Sequence, residues 1–361
     1  MNRAAGLVAF GLLLGCSPAP PAQPPGVVIG ASAYQAILRA EAELDWSAEQ
    51  LAQVARAEAR FVDGRRDALA RRLGDADGRA ALARLQQDHP KHPDAVLGGY
   101  RDAVARARDF VASAGFVTVP PGRPLQVVAT PTILPPERYP FVAYLGDKLA
   151  VAPEAGPLHC RACVPAVVAH EAYPGHHVAF LVRRTPRPPA DPELSALANH
   201  HRANRFHAEG WGQYAEVLMI EAGFYAGDPE AELGAWSLLH LRLRRAELDA
   251  ELHAERIDGA ELVRILVDEL GMPRVTAEAE LAHHLAEPTL KASYLVGLLQ
   301  ILTLRAELER RSPGFDRRAF HDQLLAWPLP WPEVARRFFG VERLEVPTDG
   351  AVLVRTFGEG L

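Results

Sequence analysis

The sequence predicts a mainly α-helical protein with a small β component, on three observations. Apolar residues recur at helical spacing through most of the chain, among strong helix formers. Residues 120–157 break that pattern with short apolar runs between turn residues. A helix then carries His170-Glu171-Ala172-Tyr173-Pro174-Gly175-His176-His177, an interrupted form of the zinc-hydrolase signature His-Glu-x-x-His.

The elements follow in order. Arg3, an apolar run from Leu7 to Leu14 and the box Leu13-Leu14-Gly15-Cys16 read as a secretory signal over residues 1–15, too short for a stable span. Cys16 after Leu-Leu-Gly resembles the bacterial lipobox, whose Cys is lipidated and becomes the mature N-terminus; several acyl chains on one Cys anchor stably. Ser17 in place of Asp resembles outer-membrane sorting. Residues 16–31 are then a lipidated Cys and a Pro-rich tether, with Pro18, Pro20, Pro21, Pro24 and Pro25 keeping the chain extended.

Residues 32–118 read as an N-terminal helical scaffold. Leu38, Leu44, Leu51, Val54, Phe61 and Leu69 share helical spacing over 32–72, interrupted at Asp45-Trp46-Ser47, with Ser47 as N-cap of the second part. Helices are expected over 79–87 and 94–114, the latter closing at Gly115. Strands are expected at 125–130, 141–145 and 149–152, with Asp147-Lys148 as a hairpin turn. Residues 164–182 hold the metal motif, helices follow at 193–226 and 234–257, 288–311 is the last informative segment, and 350–357 reads as a final strand.

The central motif carries the chemistry. In its usual form two His one turn apart bind the metal and the Glu acts as general base. Here Pro174 and Gly175 break the helix. At about 100° per residue an unbroken helix returns His177 to the face of His170, whereas a bulge favours His176. The stretch Ala208-Glu209-Gly210-Trp211-Gly212-Gln213-Tyr214-Ala215-Glu216 offers a carboxylate ligand. Glu209 and Glu216 are seven apart and share a helix face, so either can reach the metal while the other orients a His.

Together these two stretches resemble the domain-of-unknown-function-885 family, many of whose members are bacterial lipoproteins, in the thermolysin-like zinc metallopeptidase clan. The resemblance covers roughly residues 120–340. It implies a helical metallopeptidase-like fold with a small sheet beside the metal helix, the catalytic region spanning residues 119–361. It implies Zn2+ held by His170, His176 and Glu209, with Glu171 as base. His177, Glu216 and Asp249 are the alternative or supporting ligands. The segment from Arg245 to His253 resembles the family's Arg-x-x-x-Asp-x-Gly-Leu-His, with Glu251 at the Gly position. Ser293-Tyr294-Leu295-Val296-Gly297 resembles its Ser-Tyr-x-x-Gly helix, with Thr289-Leu290-Lys291 where the family has Pro-Gly-Gln. His253 and Tyr294 are therefore the expected transition-state donors.

Composition limits the alternatives. A net charge of −6 and the lack of a basic-aromatic stripe argue against nucleic acid as a partner. Cys160 and Cys163, in an oxidising envelope, are expected to form a local disulfide. The expected function is zinc-dependent hydrolysis of peptide substrates by a lipid-anchored envelope protein, on the outer membrane facing the periplasm. The alternative is a catalytically inactive envelope lipoprotein that binds peptides or a partner on the same scaffold. A thiol oxidoreductase built on the two Cys is a third reading, requiring an accessible Cys160.

Overall fold

A computed structural model describes residues 26–130, 142–154, 159–185 and 192–358. The signal, Cys16, most of the tether and Phe141 at the start of the second expected strand lie outside the described residues. Four helices lead the fold: α1 (Ala31–Ala42), α2 (Ala48–Arg72), α3 (Gly78–Leu85) and α4 (Pro93–Ala114). Strands β1 (Gln126–Ala129), β2 (Val142–Leu145) and β3 (Lys148–Val151) follow. Next come α5 (Val164–Glu171), α6 (His176–Arg184), α7 (Pro192–His200), α8 (Arg205–Glu221) and α9 (Pro229–His253). The chain closes with α10 (Gly259–Asp268), α11 (Arg274–Ala286), α12 (Leu290–Arg311), α13 (Arg317–Ala326), α14 (Trp331–Phe339) and α15 (Val352–Phe357).

The break before α2 is set locally. The Ser47 side chain accepts from the Gln50 amide and the Gln50 side chain accepts from the Ser47 amide, a complete capping box. One continuous core runs from Tyr34 on α1 to Leu353 on α15, so the N-terminal helices and the later region share their buried surface. Leu248 and Leu252 at the end of α9 pack with Leu262, Val263, Leu266 and Ala277 into a smaller second core, which α10 and α11 close. The sheet has the order β1-β3-β2, with β1 parallel and β2 antiparallel to β3. Among the described residues no helix is long and apolar enough to cross a membrane.

Two expectations change, while the metal-bearing stretch divides at Pro174-Gly175 into α5 and α6 as its sequence leads one to expect. Residues 193–226 are two helices, because the chain leaves α7 at His201 and restarts at Asn204, whose side chain accepts from the His207 amide. Residues 350–357 are helical rather than a strand. Their β-branched pattern reads as extended, but the buried Glu58 carboxylate accepts from the Val352 and Leu353 amides at 2.7 and 3.1 Å. An anion at the first turn satisfies amides that a helix N-terminus leaves unpaired.

Candidate metal centre

The site is assembled on α5, α6, α8, α9 and α12, and close backbone approaches bring these helices together. A Cβ on Gly210 of α8 would lie 2.5 Å from the Gly297 Cα of α12, so only glycine at both positions lets these helices touch. That contact sets Glu209 near Tyr294. A Cβ on Gly212 would lie 2.5 Å from the His170 Cε1, so the imidazole rests directly on the α8 backbone.

The interruption in the motif is a turn with its own hydrogen bonds. Helix α5 ends at Ala172, the Tyr173–Pro174 peptide is cis, and α6 begins at His176. The Gly175 amide donates to the Ala169 carbonyl. Trp211 Nε1 donates to the carbonyls of Pro174 and Gly175 at 3.1 and 3.2 Å. The α8 stretch therefore holds the kink as well as supplying Glu209. The reset phase sends His176 and His177 to different places. The rings of His170 and His176 meet edge-on with centroids 4.7 Å apart. His177 instead pairs its Nδ1 with the Tyr144 hydroxyl at 3.0 Å and packs against Tyr173.

Both imidazoles face one carboxylate. Glu209 Oε2 lies 3.3 Å from His170 Nε2 and 3.6 Å from His176 Nε2. Ligand atoms of His170, Glu171 and His176 all lie within 4.8 Å of one another, and all three residues are buried. Glu216 takes the other side of His170: its Oε1 accepts from Nδ1 at 2.7 Å, which leaves Nε2 aimed into the cluster. Arg242 on α9 donates to Glu216 at 2.7 Å and lies 5.6 Å from the Tyr294 ring centroid. Tyr294 stacks on His170 at 5.9 Å.

The electrostatics suit a cation. Burial acts to raise the Glu209 pKa, but the facing imidazoles of His170 and His176 hold it at about 2. Burial and Arg242 push His170 down, yet Glu209 and Glu216 bring it to about 9. Burial raises the Glu171 pKa, and neither of its oxygens has a hydrogen-bond partner among the described residues. Among the described residues His176 Nε2, which approaches Glu209 only to 3.6 Å, and the Tyr294 hydroxyl also make no hydrogen bond, and burial holds that phenol well above its usual pKa. Metal ligation would displace the His170 proton, and three carboxylates against one guanidinium would then leave two negative charges in the buried cluster. A divalent ion would neutralise that charge and satisfy the unpartnered donors, so the residues fit a metal centre.

His253 and Asp249 lie in a separate group. Asp249 accepts from the Tyr34 hydroxyl, His284 Nδ1 and the Thr289 amide at 2.8, 2.8 and 3.0 Å. His253 Nε2 pairs with the His284 carbonyl at 2.9 Å, and its ring stacks on Tyr34. Among the described residues, these contacts tie α9 to α1, α11 and α12 and do not bring His253 to the His170 cluster. Cys160 and Cys163 are disulfide-bonded and buried just ahead of α5. Sequence reasoning missed Arg242 and Tyr144. Arg242, Arg245 and Asp249 recur at i, i+3 and i+7, a polar face on a largely buried helix that marks Arg242 in retrospect.

The fold is similar to the crystal structure of a candidate lipoprotein from Colwellia psychrerythraea, with a TM-score of 0.76, 20% identity and coverage of 86% of this chain and 56% of that one. It is also similar to a candidate lipoprotein of unknown function from Shewanella oneidensis, with a TM-score of 0.70, 22% identity and coverage of 85% and 59%. At these identities the likeness is one of fold, and the chain spans less than three-fifths of either neighbour. No curated protein matches it. The profile of the bacterial proteins of unknown function DUF885 matches residues 16–330, which extends the likeness over the N-terminal helices, and the chain belongs to that family.

Proposed function

We propose that this chain is a zinc-dependent peptide hydrolase of the cell envelope. One observation carries the reading: two imidazole nitrogens approach one carboxylate oxygen at 3.3 and 3.6 Å, beside a buried Glu171 carboxylate that makes no hydrogen bond among the described residues. His170, His176 and Glu209 would hold the ion, a His2Glu set that leaves a coordination position open. Zinc, when bound, supplies a water of lowered pKa and polarises the scissile carbonyl.

The chain's own residues do the rest. Glu171 takes the proton of the attacking water and passes it to the leaving amine. Its raised pKa suits the first of these steps, since a carboxylate whose pKa is held up by burial is the stronger base towards the water's proton. Glu216 fixes the His170 tautomer, and Arg242 holds Glu216. The Tyr294 hydroxyl donates to the developing oxyanion. His253, tied to the His284 carbonyl, is read as a buried structural group. Strand β2 pairs only with β3 among the described residues, so its outer edge can receive an extended peptide. Lipidation at Cys16 would tether the domain to a membrane, with the outer membrane and its periplasmic face as the proposed location. The fold neighbours described as candidate lipoproteins support the anchor.

The test is turnover of a mixed peptide library. Glu171→Gln is expected to keep its zinc and lose hydrolysis; a variant as active as the wild type would remove the mechanism.

A further inference from the structure

A cavity of ≈ 400 Å³ opens directly beside the candidate metal centre, and His176 is part of its wall. It lies between α6, the end of α7, the start of α8, the β2–β3 turn and the segment after α13. Small-molecule pockets run from about 300 to 1,000 Å³, so this one is sized for a large side chain rather than an extended ligand.

Most of its surface is apolar. Ala179, Ala198 and Ala208 face it from three different helices, and side chains of methyl size on three walls leave the space open. Tyr144 and Phe180 add aromatic rings that meet edge-on, with centroids 6.0 Å apart and planes at 72°. The Tyr144 hydroxyl is tied to His177 Nδ1 at 3.0 Å, which holds its ring in place 6.4 Å from that of His176. Rings at this angle present a face and an edge to a third apolar group. The arginines on the wall have engagements of their own: Arg184 lies 5.2 Å from the Phe180 ring centroid, and Arg183 and Arg202 each interact elsewhere. What the cavity offers a ligand is therefore apolar surface. Tyr144 also belongs to β2, the strand whose outer edge can receive an extended peptide. Side chains of an added strand alternate in direction, so one of them can turn towards His176 and the cavity.

We propose that this cavity is a specificity pocket for one large apolar side chain, aromatic or branched aliphatic, of a residue next to the scissile bond. The proposal rests on the peptide-hydrolase reading, and it makes the substrate a peptide with such a residue at the cleavage site.

Four fluorescent pentapeptide amides test this, alike except for Phe, Leu, Ala or Glu at the centre of a Gly-Ala background in which the peptide can slide to seat that residue. Binding is read by anisotropy on zinc-loaded Glu171→Gln protein, and turnover on the wild type. The Phe version, the Leu version or both are expected to bind about tenfold or more tighter than the Ala version, and the Glu version no tighter than Ala. Two further changes are each combined with Glu171→Gln. Ala198→Phe fills the cavity from α7, and Phe180→Ala removes one wall. Neither residue is a proposed metal ligand or proton carrier, so zinc content should hold while the preference falls towards one, with melting curves confirming that each variant is folded. Equal binding of the Phe, Leu and Ala versions, tightest binding of the Glu version, no binding of any of them, or a preference that outlives both changes overturns the proposal. A preference that both changes abolish, with no turnover of any version by the wild type, would sink the hydrolase reading while leaving the apolar pocket in place. Turnover of all versions with equal binding would do the reverse.

Discussion

Replacing Gly212 by Ala gives a sharp test of how the metal centre is built. In an ordinary helix interior this change stabilises by about 0.5–1 kcal/mol. At Gly212 the new Cβ would meet the His170 ring atoms Cε1, Nε2 and Nδ1 at 2.5, 2.7 and 2.9 Å. Carbon contacts settle at about 3.5–4.0 Å, so the overlap is about 1 Å. The ring has nowhere to retreat. It is fully buried, held by Glu216 at 2.7 Å, and stacked on Tyr294. Overpacking of this kind costs about 1–3 kcal/mol, which outweighs the helix gain. Zinc affinity should fall about 10–100-fold, the range for loss of a group that orients a ligand. Competition with a chromophoric chelator measures that loss, and urea denaturation measures stability. Gly64→Ala on α2 is the control: nothing lies within 4 Å of its Cβ, so it should gain about 0.5 kcal/mol or more and leave zinc affinity alone. A Gly212→Ala protein that binds zinc as tightly as wild type, with raised stability, would refute the reasoning.

Two further outcomes follow from the same geometry. Tyr294→Phe removes a buried hydroxyl that makes no hydrogen bond among the described residues, so it should cost little or no stability while kcat falls about 10²–10³-fold; unchanged kcat at unchanged zinc affinity would leave Tyr294 as core. His321 links pH to stability. Burial pushes its folded pKa down to about 3, against the opposing contact with the Phe116 carbonyl. The unfolded ring gains its proton near pH 6.5 and the folded ring does not, so its contribution to stability is lost as pH falls below about 6.5. Between pH 6.5 and 4.5 this group alone should account for about 2–3 kcal/mol. His321→Gln can keep both partners, the Tyr214 hydroxyl and the Phe116 carbonyl, without titrating. Urea midpoints at the two pH values should therefore diverge less in the variant, and equal slopes would contradict a neutral buried ring.

The sequence made the helical scaffold readable wherever capping and periodicity agreed, as at Ser47 before α2. It misled where a distant side chain decided the conformation. Residues 350–357 look like a strand because nothing nearby reveals that Glu58, almost three hundred positions away, caps a helix there. The choice between His176 and His177 could not be settled from spacing, since it depends on a turn closed by the Trp211 indole from another helix. The same holds for Glu209 and Glu216. Both share a helix face, and only the placement of His170 between them separates the one facing Nε2 from the one holding Nδ1. His253 illustrates the opposite error. Its spacing from Asp249 is right for a joint role, but both side chains are engaged by Tyr34 and the α11 end, whose packing leaves no local mark in the sequence.

The most direct measurement of the central claim is the metal content of purified protein after exposure to zinc and dialysis, compared across His176→Ala, His177→Ala and Glu209→Ala. A single tightly held zinc ion is expected in the wild type and in His177→Ala, and its loss from the other two. A wild type that dialyses free of metal, or a His176→Ala protein that retains zinc while His177→Ala loses it, would contradict it.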